Sequence, residues 1–313
     1  MKIIHISDPH ICLPYDGKNL YKTIELFNHL KNEEFDHLVI TGDISHTSNK
    51  DDFMSFREVL EKYGLLDSKK ATIVIGKHDI FGGVVTAEDV INFPGNCRKT
   101  NFNRKVREFY GYFKELYDDC LFPGGETYYP FIKKLDNTVL IGLNSVAPFS
   151  LIKNPMASNG KISKLQINDL KNLIKRTNCD GLLKIALVHH HFSKYQKDTK
   201  SLNNPFWGII EKSTMKLKDK KRIVKQLLKL GIKMVLHGHL HKANFYEKKN
   251  IMFVNAADAI DNNYPETIKY QKIETGETID IKEVIINLNF SEYRNQADER
   301  FKKTSIAENL IFQ

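Results

Sequence analysis

Histidine and aspartate recur in five short segments: Ile6-Ser7-Asp8-Pro9-His10, Thr41-Gly42-Asp43, Gly76-Lys77-His78-Asp79, Val188-His189-His190-His191 and His237-Gly238-His239-Leu240-His241. Hard-to-borderline divalent metals take carboxylate oxygen and imidazole nitrogen, and two metals held close together share a carboxylate between them. Taken singly, an Asp-x-His or a Gly-Asp after a strand is more often a cap or a turn than a ligand. Gly-His-x-His is rarer, because two imidazoles flank one apolar residue on a tight glycine turn. The joint occurrence in this order points to a hydrolytic metal site, and Lys77 is the residue in it that does not fit.

Each segment follows a short apolar run that reads as a buried strand: Lys2–Ser7, His37–Thr41, Ala71–Ile75, Leu183–His189 and Lys233–Leu236. Between them, helical spacing of apolar residues predicts helices at Tyr21–Lys31, Phe53–Tyr63 (capped by Asp51 or Asp52), Ile162–Lys175 and Lys220–Leu230. Further strands are expected at Thr138–Asn144, Met252–Asn255 and within Thr267–Ile286, with Glu274-Thr275-Gly276-Glu277 as a turn. Short apolar strands joined by amphipathic helices argue for a largely parallel central sheet covered on both faces. Open α/β sheets bind ligands beyond the carboxyl ends of their strands, so the five segments are expected to converge on one rim.

The chain has 313 residues, 41% hydrophobic content and a formal charge of +9, which favours anionic partners: phosphorylated substrates, nucleic acid or an acidic membrane surface. Cys12, Cys97, Cys120 and Cys179 lie far apart with no C-x-x-C pair, which reads as free thiols in a reducing, cytoplasmic compartment. No apolar run approaches the ~20 residues that span a bilayer, and the N-terminus runs straight into a strand, leaving no room for a signal peptide. Residues 81–130 carry aromatic and basic side chains (Arg98, Lys99, Arg104, Lys105, Arg107, Phe109, Tyr110, Tyr112, Phe113), and 193–219 holds Trp207. Both segments leave ligand-bearing loops, so each is either a lid or structural packing. The expected organisation is a catalytic unit over 1–258 with those two insertions, then C-terminal strands and a polar tail over 259–313.

In order and spacing the segments resemble the calcineurin-like metallophosphoesterases, whose pattern is D-x-H, G-D, G-N-H-D/E, a histidine after a strand, and G-H-x-H. The resemblance covers about residues 1–258 and implies an α/β fold, a four-layer α/β/β/α sandwich of the metallophosphoesterase type, with a dinuclear centre at the sheet rim. Carried over, one metal is held by Asp8, His10, Asp43 and His241, and the other by Asp43, His189 and His239, with Asp43 bridging; His190 is the reserve for His189. His78 becomes the general acid or charge stabiliser at the leaving group, and Asp79 the carboxylate that orients it. The implied reaction is attack of a metal-bound hydroxide on phosphorus, with Mn, Fe or Zn suiting the mixed donors. Lys77 stands where the family places a metal-binding Asn. A protonated lysine near 4 Å repels even a single positive charge by about 4 kcal/mol at an effective dielectric near 20. Losing its proton at pH 7 costs about 4–5 kcal/mol. The second metal site is therefore expected to be weakened.

Within the family, Ile6-Ser7-Asp8, Asp36–Asp43, Ile141-Gly142-Leu143-Asn144-Ser145 and Gly160–Leu170 are closest in pattern to the class III cyclic-nucleotide phosphodiesterases. That implies a small phosphodiester such as a cyclic nucleotide as substrate. The alternatives are a pyrophosphatase acting on a nucleotide- or sugar-lipid-linked substrate, a metal-dependent nuclease, and a catalytically weakened binding protein. Nucleic acid and peripheral membrane contact are admitted as partners but not favoured over a phosphorylated small molecule.

Overall fold

The computed structural model of the chain describes residues 1–15, 17–192, 217–239, 243–260, 266–276 and 278–288. The second expected lid therefore falls outside them as far as residue 216, and so do His241 and the tail beyond residue 288.

The first half alternates strand and helix: β1 (Lys2–Ile6), α1 (Lys18–Leu30), β2 (His37–Ile40), α2 (Lys50–Lys62) and β3 (Ala71–Ile73). A one-turn helix α3 (His78–Phe81) opens an insertion containing α4 (Ala87–Lys99), α5 (Phe102–Tyr112) and a 3₁₀ turn at Lys114–Tyr117. Then come β4 (Cys120–Leu121), β5 (Phe131–Leu135), β6 (Thr138–Gly142), α6 (Lys164–Thr177), β7 (Leu183–Leu187), α7 (Lys220–Lys229) and β8 (Ile232–His237). The described chain ends with β9 (Asn244–Lys248), β10 (Ile251–Asn255), β11 (Thr267–Thr275) and β12 (Ile279–Asn287).

The mixed α/β class is as expected, but the strands form two sheets and not one largely parallel sheet: β12-β11-β1-β2-β3 and β4-β5-β6-β7-β8-β10-β9. Pairing is parallel through β1-β2-β3 and through β6-β7-β8-β10, and antiparallel at the edges. The antiparallel pairs β4-β5, β5-β6, β9-β10 and β11-β12 join strands consecutive in the chain, which need no crossover, while β11 reaches β1 from the far end of the chain. A strand buried on both faces reads as the same apolar run in either sheet, so the sequence pattern does not separate the two.

Alternate residues of the second sheet enter different cores. Leu140, Ile185, Leu187, Met234 and Leu236 join Ile3, Val39 and Ile73 of the first sheet, with Phe27 of α1 and Phe56 of α2. Val139, Ile141, Ala186 and Val235 pack instead with Leu170 of α6 and Val224 and Leu227 of α7. Each fully buried aliphatic side chain of this kind contributes about 1.5–3 kcal/mol over an exposed one. The strand ends are held rigidly as a result.

The cap of α2 differs from expectation. Asn49 accepts from the Asp51 N–H at 2.8 Å, while Asp52 is buried and takes bonds from the Leu13 N–H at 2.9 Å and the Ser45 hydroxyl at 2.6 Å. In the insertion, Phe109 and Phe113 are buried, and Phe53 of α2 stacks on Tyr112 with centroids 5.1 Å apart. Arg57 of α2 donates to Glu115 and to the Tyr112 carbonyl. These aromatics are packing, whereas α4 stands farther out, with Ile91 80% exposed. Cys12, Cys97, Cys120 and Cys179 form no disulfide, and no described helix is long and apolar enough to cross a membrane.

Two core histidines are held neutral. His5 lies between Thr41 Oγ1 (3.0 Å) and Gln271 Oε1 (3.2 Å), and His37 between the Lys69 carbonyl (3.0 Å) and Thr72 Oγ1 (2.8 Å). Burial drives both from 6.5 down to about 3, with the neighbouring Lys133 charge adding to the effect at His37. Between pH 6.5 and 3 the unfolded chain takes up protons that the folded chain refuses, so stability falls as the pH drops through that window, by about 1.4 kcal/mol per pH unit for each histidine. Denaturant unfolding across pH 3–7 should show this acid limb, and His37→Gln should flatten it by about one proton. An unchanged slope in that variant contradicts the assignment of a neutral, buried His37.

Candidate metal centre

The loops after β1, β2 and β8 carry the candidate ligands in unusual backbone conformations. Asp8 (φ 57°), His10 (φ 47°), Asp43 (φ 54°) and His239 (φ 75°) all occupy the left-handed region. This costs about 1–3 kcal/mol per non-glycine residue and persists only where surrounding bonds over-determine it. Here the bonds run between loops: the Asp8 N–H donates to Gly42 O at 3.0 Å, His10 N–H to Asp43 O at 3.1 Å, and Ile11 N–H to Ile44 O at 2.8 Å. Two motif glycines are explained by close approach. A Cβ on Gly76 would lie 2.1 Å from Asp43 Oδ1, and one on Gly238 would lie 1.8 Å from Ser7 Oγ and 2.4 Å from Asp8 Oδ2.

The side chains converge in two overlapping groups. Asp8, His10 and Asp43 bring ligand atoms within 4.8 Å of one another, and so do Asp43, His189 and His239; Asp43 belongs to both. His189 Nε2 is 3.1 Å from Asp43 Oδ2, and His239 Nδ1 is 3.1 Å from His189 Nε2. The His189 Nδ1–H donates to the Thr41 carbonyl at 2.9 Å, which turns Nε2 toward the carboxylate. The His239 N–H donates to Asp8 Oδ2 at 3.0 Å, tying the β8 loop to the β1 loop. Of the expected ligands only His241 lies outside the described residues. His190 bonds through Nδ1 to Ser145 Oγ at 2.9 Å, and its ring centroid lies 4.7 Å from that of His239.

Asp79 differs from its expected role. Its carboxylate makes no bond to the His78 ring and instead accepts four backbone N–H groups: Gly76 (2.8 Å), Asp43 (3.0 Å), Ile44 (2.8 Å) and Ser45 (3.1 Å). It pins the Asp43 loop to the turn after β3. His78 is oriented by another group, its Nδ1–H donating to the His46 carbonyl at 3.2 Å, and Nε2 ends 3.9 Å from Asp43 Oδ2. The His46 ring stacks on His78 with centroids 4.9 Å apart, and His10, His46 and His78 form a third group of donor atoms within 4.8 Å of one another. Sequence reasoning missed His46. Its position three residues past Asp43, in the same strand-end loop, was the available signal.

Charge is concentrated and balanced here. Burial opposes charge on both Asp43 and His189, but each supports the other: Asp43 is held well below the ordinary carboxylate range chiefly by His189, and His189 is raised to about 9 by Asp43 and Asp8. Burial lowers His78, His190 and His239 well below 6.5, so these imidazoles are neutral, the form in which histidine ligates. Burial and the Asp43 charge push Asp79 up to about 7, against the pull of its N–H partners. Among the described residues no hydrogen bond is directed at His239 Nε2, although the atom is buried. Two carboxylates and three imidazoles with such atoms facing inward fit a divalent cation.

A family model described as calcineurin-like phosphoesterase matches residues 1–243. Among solved structures, a dimetal phosphatase from Danio rerio is 11% identical at a TM-score of 0.58, covering 92% of this chain and 99% of that one. A novel archaeal phosphodiesterase is 13% identical at a TM-score of 0.38 over 91% and 100% of the two chains. A hypothetical protein from Pyrococcus horikoshii is 13% identical at 0.43 over 96% and 93%. No curated protein matches the chain. At 11% identity the likeness to the zebrafish phosphatase bears on the fold alone.

The Asp79 network predicts its own mutant. Asp79→Asn puts an amide NH₂ against backbone N–H donors, and unfolding should become easier by about 2–4 kcal/mol with weaker metal uptake. Wild-type stability and metal content, with activity alone lost, would instead favour a direct partnership of Asp79 with His78.

Proposed function

The chain belongs to the calcineurin-like phosphoesterases, and on that premise we propose that it hydrolyses a small phosphodiester, such as a cyclic nucleotide, with divalent-metal assistance. Family membership makes it a metal-dependent phosphoester hydrolase. The observation that carries the reading is the meeting of Asp8, His10, Asp43, His189 and His239 at buried strand ends around one shared carboxylate. We assign Asp8, His10 and Asp43 to one cation, with Asp43, His189 and His239 as the donors of the other half. Mixed oxygen and nitrogen donors suit Mn, Fe or Zn. A divalent cation bound there supplies Lewis acidity, polarising a phosphoryl oxygen and making water a usable nucleophile near neutral pH.

The remaining work falls to this chain's own groups. His78, fixed through its Nδ1–H to the His46 carbonyl, presents Nε2 to the site, where it can give a proton to the leaving oxygen. Burial disfavours the charged ring, and an arriving phosphodiester anion supplies the negative charge that offsets this. A cavity of about 680 Å³ is lined by Phe102, Arg107, Tyr128, Tyr129, Asn144 and Gln166. None of the candidate ligands lines it, although its Tyr129 hydroxyl accepts from the Ile75 N–H at 3.0 Å. The volume is in the range of small-ligand sites, and the aromatic lining suits a planar substituent on phosphorus.

A nuclease needs a continuous basic track, and the basic run of α5 is largely committed to ion pairs: Arg104 with Glu108 at 3.0 Å and Arg107 with Glu126 at 2.7 Å. The four cysteines, none in a disulfide, support a reducing, cytoplasmic setting.

Assays with Mn²⁺ on bis-p-nitrophenyl phosphate, cyclic nucleotides, matching monoesters and pyrophosphates test the proposal. Diesters should be the better substrates, chelation should abolish turnover, and His78→Ala should lower kcat by about 10²–10⁴ with metal content kept. A clear preference for monoesters or pyrophosphates, or full turnover in His78→Ala, contradicts it.

A further inference from the structure

The loop after β6 carries the one adjacent pair of exposed large aliphatic side chains among the described residues. Leu151 is 66% exposed and Ile152 91% exposed, side by side at the tip of a turn. The turn is built, not slack. The Asn154 N–H donates to Ser150 O at 2.8 Å and the Ser150 N–H to Asn154 O at 3.3 Å. The buried Asn154 side chain donates to the Ala147 and Pro148 carbonyls, each at 3.1 Å, and accepts from the Asn159 N–H at 2.9 Å. Held this way, the tip keeps both side chains in water, although burying such groups is favourable.

Its surroundings carry one sign of charge. No aspartate or glutamate lies between Asp136 and Asp169, whereas Lys153, Lys161 and Lys164 do, all of them exposed. Leu217 bridges Gly160, and the Lys218 N–H donates to Gly160 O at 2.8 Å, so Lys218 adds a further cation to the loop. Its ammonium donates to the Lys153 carbonyl. Leu165, also exposed, follows Lys164 at the start of α6. The loop rises from the metal rim. β6 runs parallel to β7 and β7 to β8, the strands that lead into His189 and His239, and Ser145 at its base meets His190 at 2.9 Å.

These features select an occupant. A symmetric second copy of the chain would set lysine against lysine. A nucleic acid would engage the lysines and leave the aliphatic pair in water. An acidic bilayer takes both, with the aliphatic tip at the boundary of headgroups and acyl chains and the lysines against lipid phosphates. We propose that the Leu151–Ile152 tip docks the chain on acidic phospholipid bilayers and so brings the metal rim to the lipid surface. Two aliphatic side chains and a few lysines make this a reversible, peripheral contact. It uses none of the candidate ligands, so it stands or falls separately from the hydrolase reading.

Co-sedimentation of the full chain with phosphatidylglycerol vesicles, and with phosphatidylcholine vesicles, tests the proposal. The wild type should bind the first, be released as salt rises, and leave the second in solution. Leu151→Ser with Ile152→Ser should weaken binding by about tenfold or more. Lys153→Gln with Lys161→Gln should weaken it by about 10–30-fold. Mn²⁺ uptake and the thermal unfolding midpoint of the serine variant should equal those of the wild type, which makes its lost binding a surface effect. Ile152→Trp in a Trp207→Phe background should be quenched by brominated acyl chains. No binding to phosphatidylglycerol, equal binding to phosphatidylcholine, or an unquenched Trp at position 152 overturns the proposal. Binding that survives the serine changes also overturns it and marks adsorption by net charge alone. A dimer in sedimentation velocity that the serine changes dissolve assigns the tip to a second copy instead.

Discussion

The Asp43 carboxylate is the constraint from which the rest of the centre follows. It is fully buried, and an isolated carboxylate in that position costs several kcal/mol. The chain offsets the cost from three directions: the His189 ring 3.1 Å away, the His78 N–H on the other oxygen, and a loop held in place by Asp79. His189 follows β7, whereas His78 and Asp79 both follow β3. Folding the two sheets together is what brings them within reach, so the electrostatics of the site and the packing of the core cannot be separated.

The same loops carry four ligand-type residues in the left-handed backbone region and two glycines pressed against neighbouring carboxylates and hydroxyls. Such strain is tolerated because the strands beneath are packed on both faces, and the Asp79 carboxylate alone fixes four backbone N–H groups. The result is a rigid concave arrangement of oxygen and nitrogen donors. Rigidity of this kind suits catalysis by electrostatic preorganisation, in which charges already stand where the reaction develops them.

Much of this was legible in the residues. Asp8, Asp43, His78, His189 and His239 are placed at strand ends because each follows a short, mostly apolar run, and the mixed α/β class follows from the alternation of those runs with helical spacing. The division into two sheets was not legible, since a strand buried on both faces looks alike in either. β5 escaped notice because Lys133 interrupts its apolar run, yet that side chain is buried, donating to the carbonyls of Ser68, Ala71 and Leu116. The α2 cap was misjudged because Asp52 is drawn to Leu13 and Ser45, contacts that are remote in sequence. Adjacency points Asp79 to the His78 ring, whereas the tertiary structure gives it the backbone N–H groups of residues 43–45. His46 lacked a motif of its own, and only the fold sets it beside His78.

The proposed hydrolysis requires remote acidic and imidazole side chains to hold a divalent cation at the end of the sheets. Anomalous diffraction at the manganese edge, from crystals of the full chain equilibrated with Mn²⁺, tests this most directly. A strong peak bounded by Asp8, His10 and Asp43 is the predicted result. Well-ordered density for those side chains with no anomalous signal among them, at saturating metal, would contradict it.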